Sequence, residues 1–260
     1  MTPLEFLAVV LPSPGLGSYC AVELTKRKQH VFTDTVEELH PHIDNWNNDN
    51  CDIFYAVSCF NGKKREADKA THVKSFFVDL DGYASKKDAV LALDAFMAKV
   101  GLDALGKPWI VGSGGGLHCY WPMTRDMTVA EWRPVAQNIK LLCKQEGMVI
   151  DMSVTADAAR LMRVPGTKNH KKKYVQPLPV KLLMEGDLFD FDAFAEVINS
   201  NLKEKAPPQA DPIMLPGARP KNVKTNARDV LVDDSKGNLL TIHSKGRTRT
   251  WFRPALSNGR

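Results

Sequence analysis

The sequence predicts an α/β (α+β) fold: a mixed, mainly antiparallel β-sheet flanked by helices. Three observations carry this. Short apolar runs rich in aromatic and β-branched residues recur along the chain, each bounded by Gly, Pro or Asn. Two of them, Trp109–Val111 and Leu117–Trp121, flank a glycine-rich turn in the manner of a hairpin. Longer stretches with apolar residues at helical spacing open on capping residues.

Taken in order, Leu4 to Leu11 reads as a first strand, Pro12 to Gly17 as a turn rich in breakers, and Tyr19 to Leu24 as a returning strand. Thr35-Val-Glu-Glu38 has the form of a capping box before a short helix that Pro41 cuts early. Ile53 to Cys59 is the next strand, followed by the basic segment Asn61-Gly-Lys-Lys-Arg65. The run His72 to Gly82 contains a strand, and Ser85 then caps a helix with Val90, Leu91, Leu93, Phe96, Met97 and Val100 on one face and Gly101 as its stop. Thr128-Val-Ala-Glu131 opens a second helix, in which Pro134 predicts a kink or a later start. Met148 to Ile150 reads as a short strand ending at Asp151, Val175 to Leu183 alternates, and Phe191 to Leu202 is a last amphipathic helix with Phe194, Val197, Ile198 and Leu202 inward.

The 260 residues suffice for one sizeable core, or for one domain with an appendage. Hydrophobic content of 43% and charged content of 25% are those of an ordinary globular protein. No run of about 18 apolar residues is present, so no membrane contact is expected. The N-terminus lacks the basic-then-apolar pattern of a signal peptide. Five cysteines without a Cys-x-x-Cys pair point to reduced thiols and a cytoplasmic setting. His40, His42, Cys51 and Cys59 match no common zinc spacing.

Charge is unevenly placed. Residues 206–260 hold ten Lys/Arg against four Asp, a balance of +6, which leaves −1 for residues 1–205. Any polyanion contact in the body must therefore come from local clusters. Pro207, Pro208, Pro212, Pro216 and Pro220 make 206–228 a linker, and 229–260 a small basic extension that admits partial disorder, with a hairpin around 233–238. Residues 1–205 are the expected main domain.

Three segments carry chemistry. Phe76, Phe77 and Val78 lead into Asp79-Leu-Asp81, and residues two apart on a strand share a face. Two adjacent carboxylates repel unless a cation separates them, and hard oxygen ligands suit Mg²⁺ or Mn²⁺. A solvated acidic strand end is the competing reading. The second segment, Ser113-Gly-Gly-Gly-Leu-His118, allows close backbone approach and points N–H groups at an anion, with Ser113 and His118 as added donors. That combination suits a triphosphate, although a plain turn has the same composition. In the third, Asp151 is followed by Arg160 and Arg163, three residues apart as on one side of a helical turn, and then by Asn169, Lys171, Lys172 and Lys173.

In this order the three segments resemble the motifs of the archaeo-eukaryotic primase (AEP) superfamily, including the primase-polymerases of phages and plasmids. That family carries an acid-x-acid motif, a Ser-Gly-x-Gly-x-His motif, and an acid after a hydrophobic strand; the match spans roughly residues 50–180. The resemblance implies an RRM-like catalytic core and a template-directed nucleotidyltransferase, a DNA primase or polymerase that makes or extends primers on single-stranded DNA from NTPs or dNTPs. It implies Asp79, Asp81 and Asp151 as ligands of two Mg²⁺ or Mn²⁺ ions, with Asp157 as the competing third ligand. It implies Ser113, Gly114, Gly116 and His118 on the nucleotide phosphates, Arg163 and Lys171 neutralising triphosphate charge with help from Arg160, and Asn169 on sugar or phosphate. Nucleic-acid contacts are expected from Lys63, Lys64, Arg65, Lys172 and Lys173, and from the basic aromatic stretch with Arg247, Arg249, Trp251 and Arg253.

The expected location is the cytoplasm, that of the host if the gene belongs to a phage or plasmid. A replicative helicase is admissible as a partner, and no Walker-type Gly-x-x-x-x-Gly-Lys-Ser/Thr motif is present in the chain itself. The alternatives are a non-catalytic single-strand or origin-binding module on the same fold, and another Asp-x-Asp two-metal enzyme such as a nuclease.

Overall fold

The first eight helical residues correct the sequence reading. In the computed structural model, Pro3–Val10 is a helix (α1), not a strand. The Thr2 hydroxyl accepts the Glu5 N–H, the Glu5 carboxylate accepts the Thr2 N–H at 2.6 Å, and Pro3 occupies the first turn. Thr2-Pro-Leu-Glu5 is thus a capping box, and it outweighs the β-branched run behind it. The structure describes residues 1–202, together with the backbone of residues 230–233, 239–244 and 247–252.

The chain forms two compact units, Met1–Glu204 and Lys205–Arg260. Unit 1 is a mixed α/β body with two antiparallel sheets. The small sheet has the order β2-β1-β3-β8, from β1 (Tyr19–Glu23), β2 (Gln29–Thr33), β3 (Ile53–Ala56) and β8 (Leu161–Arg163). The large sheet has the order β11-β6-β7-β5-β4, from β4 (Ser58–Phe60), β5 (Ala70–Leu80), β6 (Trp109–Gly112), β7 (Leu117–Thr128) and β11 (Lys181–Met184). A two-residue pair, β9 (Lys168–Asn169) and β10 (Leu178–Pro179), lies between them in sequence. Every strand pair is antiparallel among the described residues; the parallel contact is the single bridge Met123–Phe189.

The strand expected over Ile53–Cys59 divides at Val57, whose N–H donates to the Arg160 carbonyl at 3.1 Å, so β3 joins one sheet and β4 the other. Pro41 falls in the first turn of α2 (His40–Asn48), where a missing N–H costs nothing, and so does not cut the helix. Ser85 caps α3 (Lys86–Val100), which ends on Gly101 at φ +83°. Helix α4 (Val129–Gln145) begins at its capping box and runs through Pro134 rather than starting after it. Met148–Ile150 is irregular rather than a strand, and Arg160 precedes β8 rather than lying on a helical turn with Arg163.

The core gathers on β5 and β7. Phe76 stacks on Phe194 of α5 (Phe191–Ser200) at 5.0 Å between centroids and on Trp132 of α4 at 6.2 Å. The Trp132 indole N–H donates to the Ser75 carbonyl at 3.1 Å, which keeps its one polar group satisfied. On the opposite face, Phe6 of α1 meets Tyr120 and Tyr55 edge-on, and Ser75 donates its hydroxyl to the Val10 carbonyl. Each fully buried aromatic contributes about 1.5–3 kcal/mol. This packing clamps β5 and β7 from both sides and leaves their shared end to the site. No helix among the described residues is long and apolar enough to cross a membrane. All five cysteines are buried and free.

Unit 2 contains an antiparallel sheet of β12 (Val230–Asp233), β13 (Leu239–Ser244) and β14 (Arg247–Phe252). The backbones of Arg247, Arg249 and Trp251 belong to β14; their side chains, Arg253 and the proline-rich stretch 206–228 lie outside the described residues.

Candidate active site

Strand register builds the site. β5 and β7 pair antiparallel, with Asp79 opposite His118 and Leu80 opposite Leu117, while β6 sets Val111 against His118 on the other side. Leu80 points into the core and is 1% exposed, so Asp79 and Asp81 turn to the other face, at the strand end. The glycine-rich turn follows from the same register. The Ser113 N–H donates to the Gly116 carbonyl at 3.0 Å, and the Gly116 N–H donates to the Ser113 hydroxyl at 3.3 Å. A Cβ at Gly116 would stand 2.8 Å from the Leu80 carbonyl, so only glycine lets this loop lie on the acid strand.

One cleft collects the predicted groups. Asp79, Asp81, Ser113, Gly116, His118, Arg160, Arg163, Asn169 and Lys171 line it, together with Phe54, Gly115, Leu161, Lys173 and Tyr174. Asp151 stands beside it: its backbone N–H donates to the Asp79 carbonyl at 2.9 Å, and its Oδ2 is 3.7 Å from an Arg160 nitrogen. Its other oxygen accepts both the N–H and the hydroxyl of Ser153, and these bonds hold its carboxyl below the usual carboxylate range.

The electrostatics separate the acids from the imidazole. Asp79 is pushed up to about 6 by burial and then by the charges of Asp81 and Asp151, against Arg160 and Lys171. His118 is pushed down to about 3 by burial and by Arg163, Arg160 and Lys171, so its ring is neutral at neutral pH. Its Nδ1 lies 3.3 Å from the Tyr120 hydroxyl and its Nε2 is 4.0 Å from Asp79 Oδ1. With Tyr120 donating, the ring carries its hydrogen on Nε2, on the cleft side.

Several predicted residues take other positions. Gly114, at φ +95°, faces the Asn169 side chain rather than the cleft. Asn169, in the cleft wall, is 2% exposed: its amide donates to the Ser113 carbonyl at 2.8 Å and its oxygen accepts the Lys171 N–H at 3.1 Å. Its work is to tie the glycine loop to the lysine segment. Asp157 accepts the Ala159 N–H at 2.9 Å and lies off the cleft. Lys172 is exposed outside it, whereas Lys173 lines it, with its ammonium 5.2 Å from the Tyr174 ring. Lys63, Lys64 and Arg65 border a separate depression with His30 and Phe32, and the Arg65 guanidinium donates to the Ala159 carbonyl. Sequence reasoning missed Phe54, Gly115, Leu161 and Tyr174; for Phe54 the signal was its alternation with Ile53 and Tyr55 in β3.

The donor set suits hard divalent cations: Asp79 and Asp81 share a face and present carboxylate oxygens, and burial first, then the charges of Asp81 and Asp151, raises Asp79. Among the described residues no group of three or more His, Cys, Asp or Glu side chains stands close enough together to hold a metal ion. Asp151 is held by Ser153 and Arg160 instead.

Solved structures with a similar backbone include a primase and the AEP domain of a primase-polymerase. At 15–16% identity the likeness is one of fold. Primase RepB′ superposes over 77% of this chain and 62% of its own, with a TM-score of 0.50 and 16% identity, so this chain spans less than two thirds of that protein. The AEP domain of the cyanophage S-2L primase-polymerase aligns over 75% of this chain and 95% of its own at a TM-score of 0.49 and 15% identity. The catalytic domain of RepB′ in complex with initiator DNA aligns over 71% and 84% at 0.46 and 17%. No protein-family model and no curated protein sequence matches the chain.

Proposed function

We propose that the chain is a template-directed nucleotidyltransferase, a DNA primase or polymerase that makes or extends primers on single-stranded DNA. The observation that carries this is the meeting, in one cleft, of the β5 carboxylates with anion-binding groups from three other segments: the Ser113–His118 turn, Arg160 and Arg163, and Lys171. Charge of opposite sign at two ends of one cleft suits a ligand that brings a triphosphate to one and a reacting oxygen to the other.

Asp79, Asp81 and Asp151 would hold Mg²⁺ or Mn²⁺. Bound there, two such cations supply activation of a primer 3′-hydroxyl and charge stabilisation of the departing pyrophosphate. The chain's own groups do the rest. The backbone of Gly115 and Gly116 lets phosphate oxygens approach closely, Ser113 adds a hydroxyl, and the neutral His118 donates from Nε2 without competing for the proton of the nucleophile. Arg160, Arg163 and Lys171 offset the triphosphate charge and fix its orientation. Lys172, beside the cleft, and Lys63 and Lys64 at the second depression are exposed cations available to a template backbone.

Purified protein, a single-stranded template, labelled NTPs or dNTPs, and Mg²⁺ or Mn²⁺ test the reading. De novo product or primer extension is expected. Absence of both overturns it, and product that survives the double change Asp79→Ala, Asp81→Ala overturns the site.

A further inference from the structure

We infer that Asp52, which does not line the cleft, is its positioning residue: one carboxylate oxygen fixes the Arg163 guanidinium and the backbone of the lysine segment together. The inference rests on the triphosphate reading of the cleft.

Asp52 immediately precedes β3. Its Oδ1 accepts Arg163 Nη1 at 2.8 Å and also the His170 N–H at 2.6 Å. Charge-assisted bonds of this kind are among the strongest a buried side chain makes. The guanidinium is also held by Phe54. Phe54 and Arg163 are cross-strand partners in the β3–β8 pair, and the Arg163 Cζ lies 4.5 Å over the Phe54 ring. The Arg163 side chain is 4% exposed, yet its Nη2 has no hydrogen-bond partner among the described residues. A buried guanidinium nitrogen without an acceptor is costly, and this one belongs to a residue that lines the cleft. An anionic ligand oxygen supplies the missing acceptor, and Asp52 determines where it must sit.

The second bond does equivalent work for Lys171. Asp52 holds the N–H of residue 170 and Asn169 holds that of residue 171, so consecutive backbone groups are fixed and the Lys171 side chain departs from a set point. Asp52 is itself anchored from β1: its N–H donates to the Thr25 hydroxyl at 2.6 Å and its carbonyl accepts the Leu24 N–H at 3.2 Å. The loop between α2 and β3, remote in sequence from all three motifs, thereby sets two of the four cations that line the cleft.

The test compares wild type, Asp52→Ala and Asp52→Asn, with and without Arg163→Gln, in primer extension and in binding of a fluorescent nucleoside triphosphate. Asp52→Ala is expected to raise the nucleotide KM and Kd about tenfold or more with kcat and template affinity nearly unchanged. Asp52→Asn, which keeps the volume and one acceptor, should recover part of that loss and guards against a folding defect in the alanine variant. On the Arg163→Gln background, removal of Asp52 should add less than it costs in the wild type, because the share that passes through the arginine is already lost and only the share through the His170 N–H remains. A folded Asp52→Ala or Asp52→Asn protein with wild-type nucleotide KM overturns the inference alone, as does a full additive loss on Arg163→Gln. A wild-type protein that neither binds nor incorporates triphosphate overturns the reading of the cleft and this inference with it.

Discussion

Asp151 donates its backbone N–H to the carbonyl of Asp79 at 2.9 Å. The segment after α4 is therefore latched to the acid strand by main chain, and the third carboxylate is brought to the first two without relying on any side chain. A main-chain link survives substitution of the acids, so changes in charge at this end of β5 can be separated from changes in fold.

Neutralising one acid should make the metal-free protein more stable while abolishing turnover. Burial and the charges of Asp81 and Asp151 disfavour the Asp79 carboxylate, and Asn at that position removes the cost. Asp79→Asn is expected to gain on the order of 1 kcal/mol in thermal or urea unfolding at pH 7.5 with chelator, and to show no primer extension. A less stable Asp79→Asn protein would contradict the electrostatic account of the site.

The glycines of the Ser113–His118 turn should separate by mechanism. At Gly116 an added Cβ meets the Leu80 carbonyl, which is main chain and cannot yield without moving the acid strand. At Gly115 it meets the Tyr174 hydroxyl, the free end of a side chain that can swing away. Gly116→Ala is expected to cost about 1–3 kcal/mol and most of the activity, whereas Gly115→Ala should unfold within about 0.5 kcal/mol of wild type. Equal losses from the two substitutions would refute this difference.

Acid sensitivity should trace in part to Glu23. Burial would raise its carboxyl, but backbone N–H groups of Arg27, Lys26 and Thr25 outweigh it and hold the group below its ordinary value. A carboxyl depressed in the folded state contributes stability that is present above its unfolded pKa and is lost as pH falls through the folded value. The residue is 0% exposed, so Glu23→Gln should cost about 1–3 kcal/mol at pH 7 and flatten the loss of stability between neutral and strongly acidic pH. Urea unfolding of both proteins across that range gives the comparison.

The chemistry of the site was more legible in the sequence than its scaffold. Asp79, Asp81 and His118 could be read because strand alternation and a glycine-rich turn are local signals, and the β5–β7 register joins them. Leu4 to Val10 misled because a helix packed on a core carries the same apolar run as a buried strand, and only Thr2 and Glu5 decide between them. Arg160 and Arg163 have helical spacing, but Arg160 precedes and Arg163 ends an edge strand whose pairing with β3 spans more than a hundred residues. The structural part of Asn169 was hidden because its two partners, Ser113 and Lys171, meet only in three dimensions. Asp52 gave no sign at all, since nothing local distinguishes it from any other acid before a strand.

His118 should behave as a hydrogen-bond donor that never titrates in the working range. Its folded pKa, pushed down to about 3 by burial and by Arg163, Arg160 and Lys171, leaves the ring neutral throughout mildly acidic and neutral pH. An activity profile governed by a base at this position would lose rate as pH fell through about 6.5; with the imidazole as donor, His118 contributes no such limb, and one arising from Asp79 near 6 persists in His118→Gln. Gln places an amide N–H near the reach of Nε2, so His118→Gln should retain part of the nucleotide affinity, while His118→Ala should raise the nucleotide KM about tenfold or more. A limb near 6.5 in the profile of the wild type, removed in His118→Gln, would make this histidine a proton carrier instead.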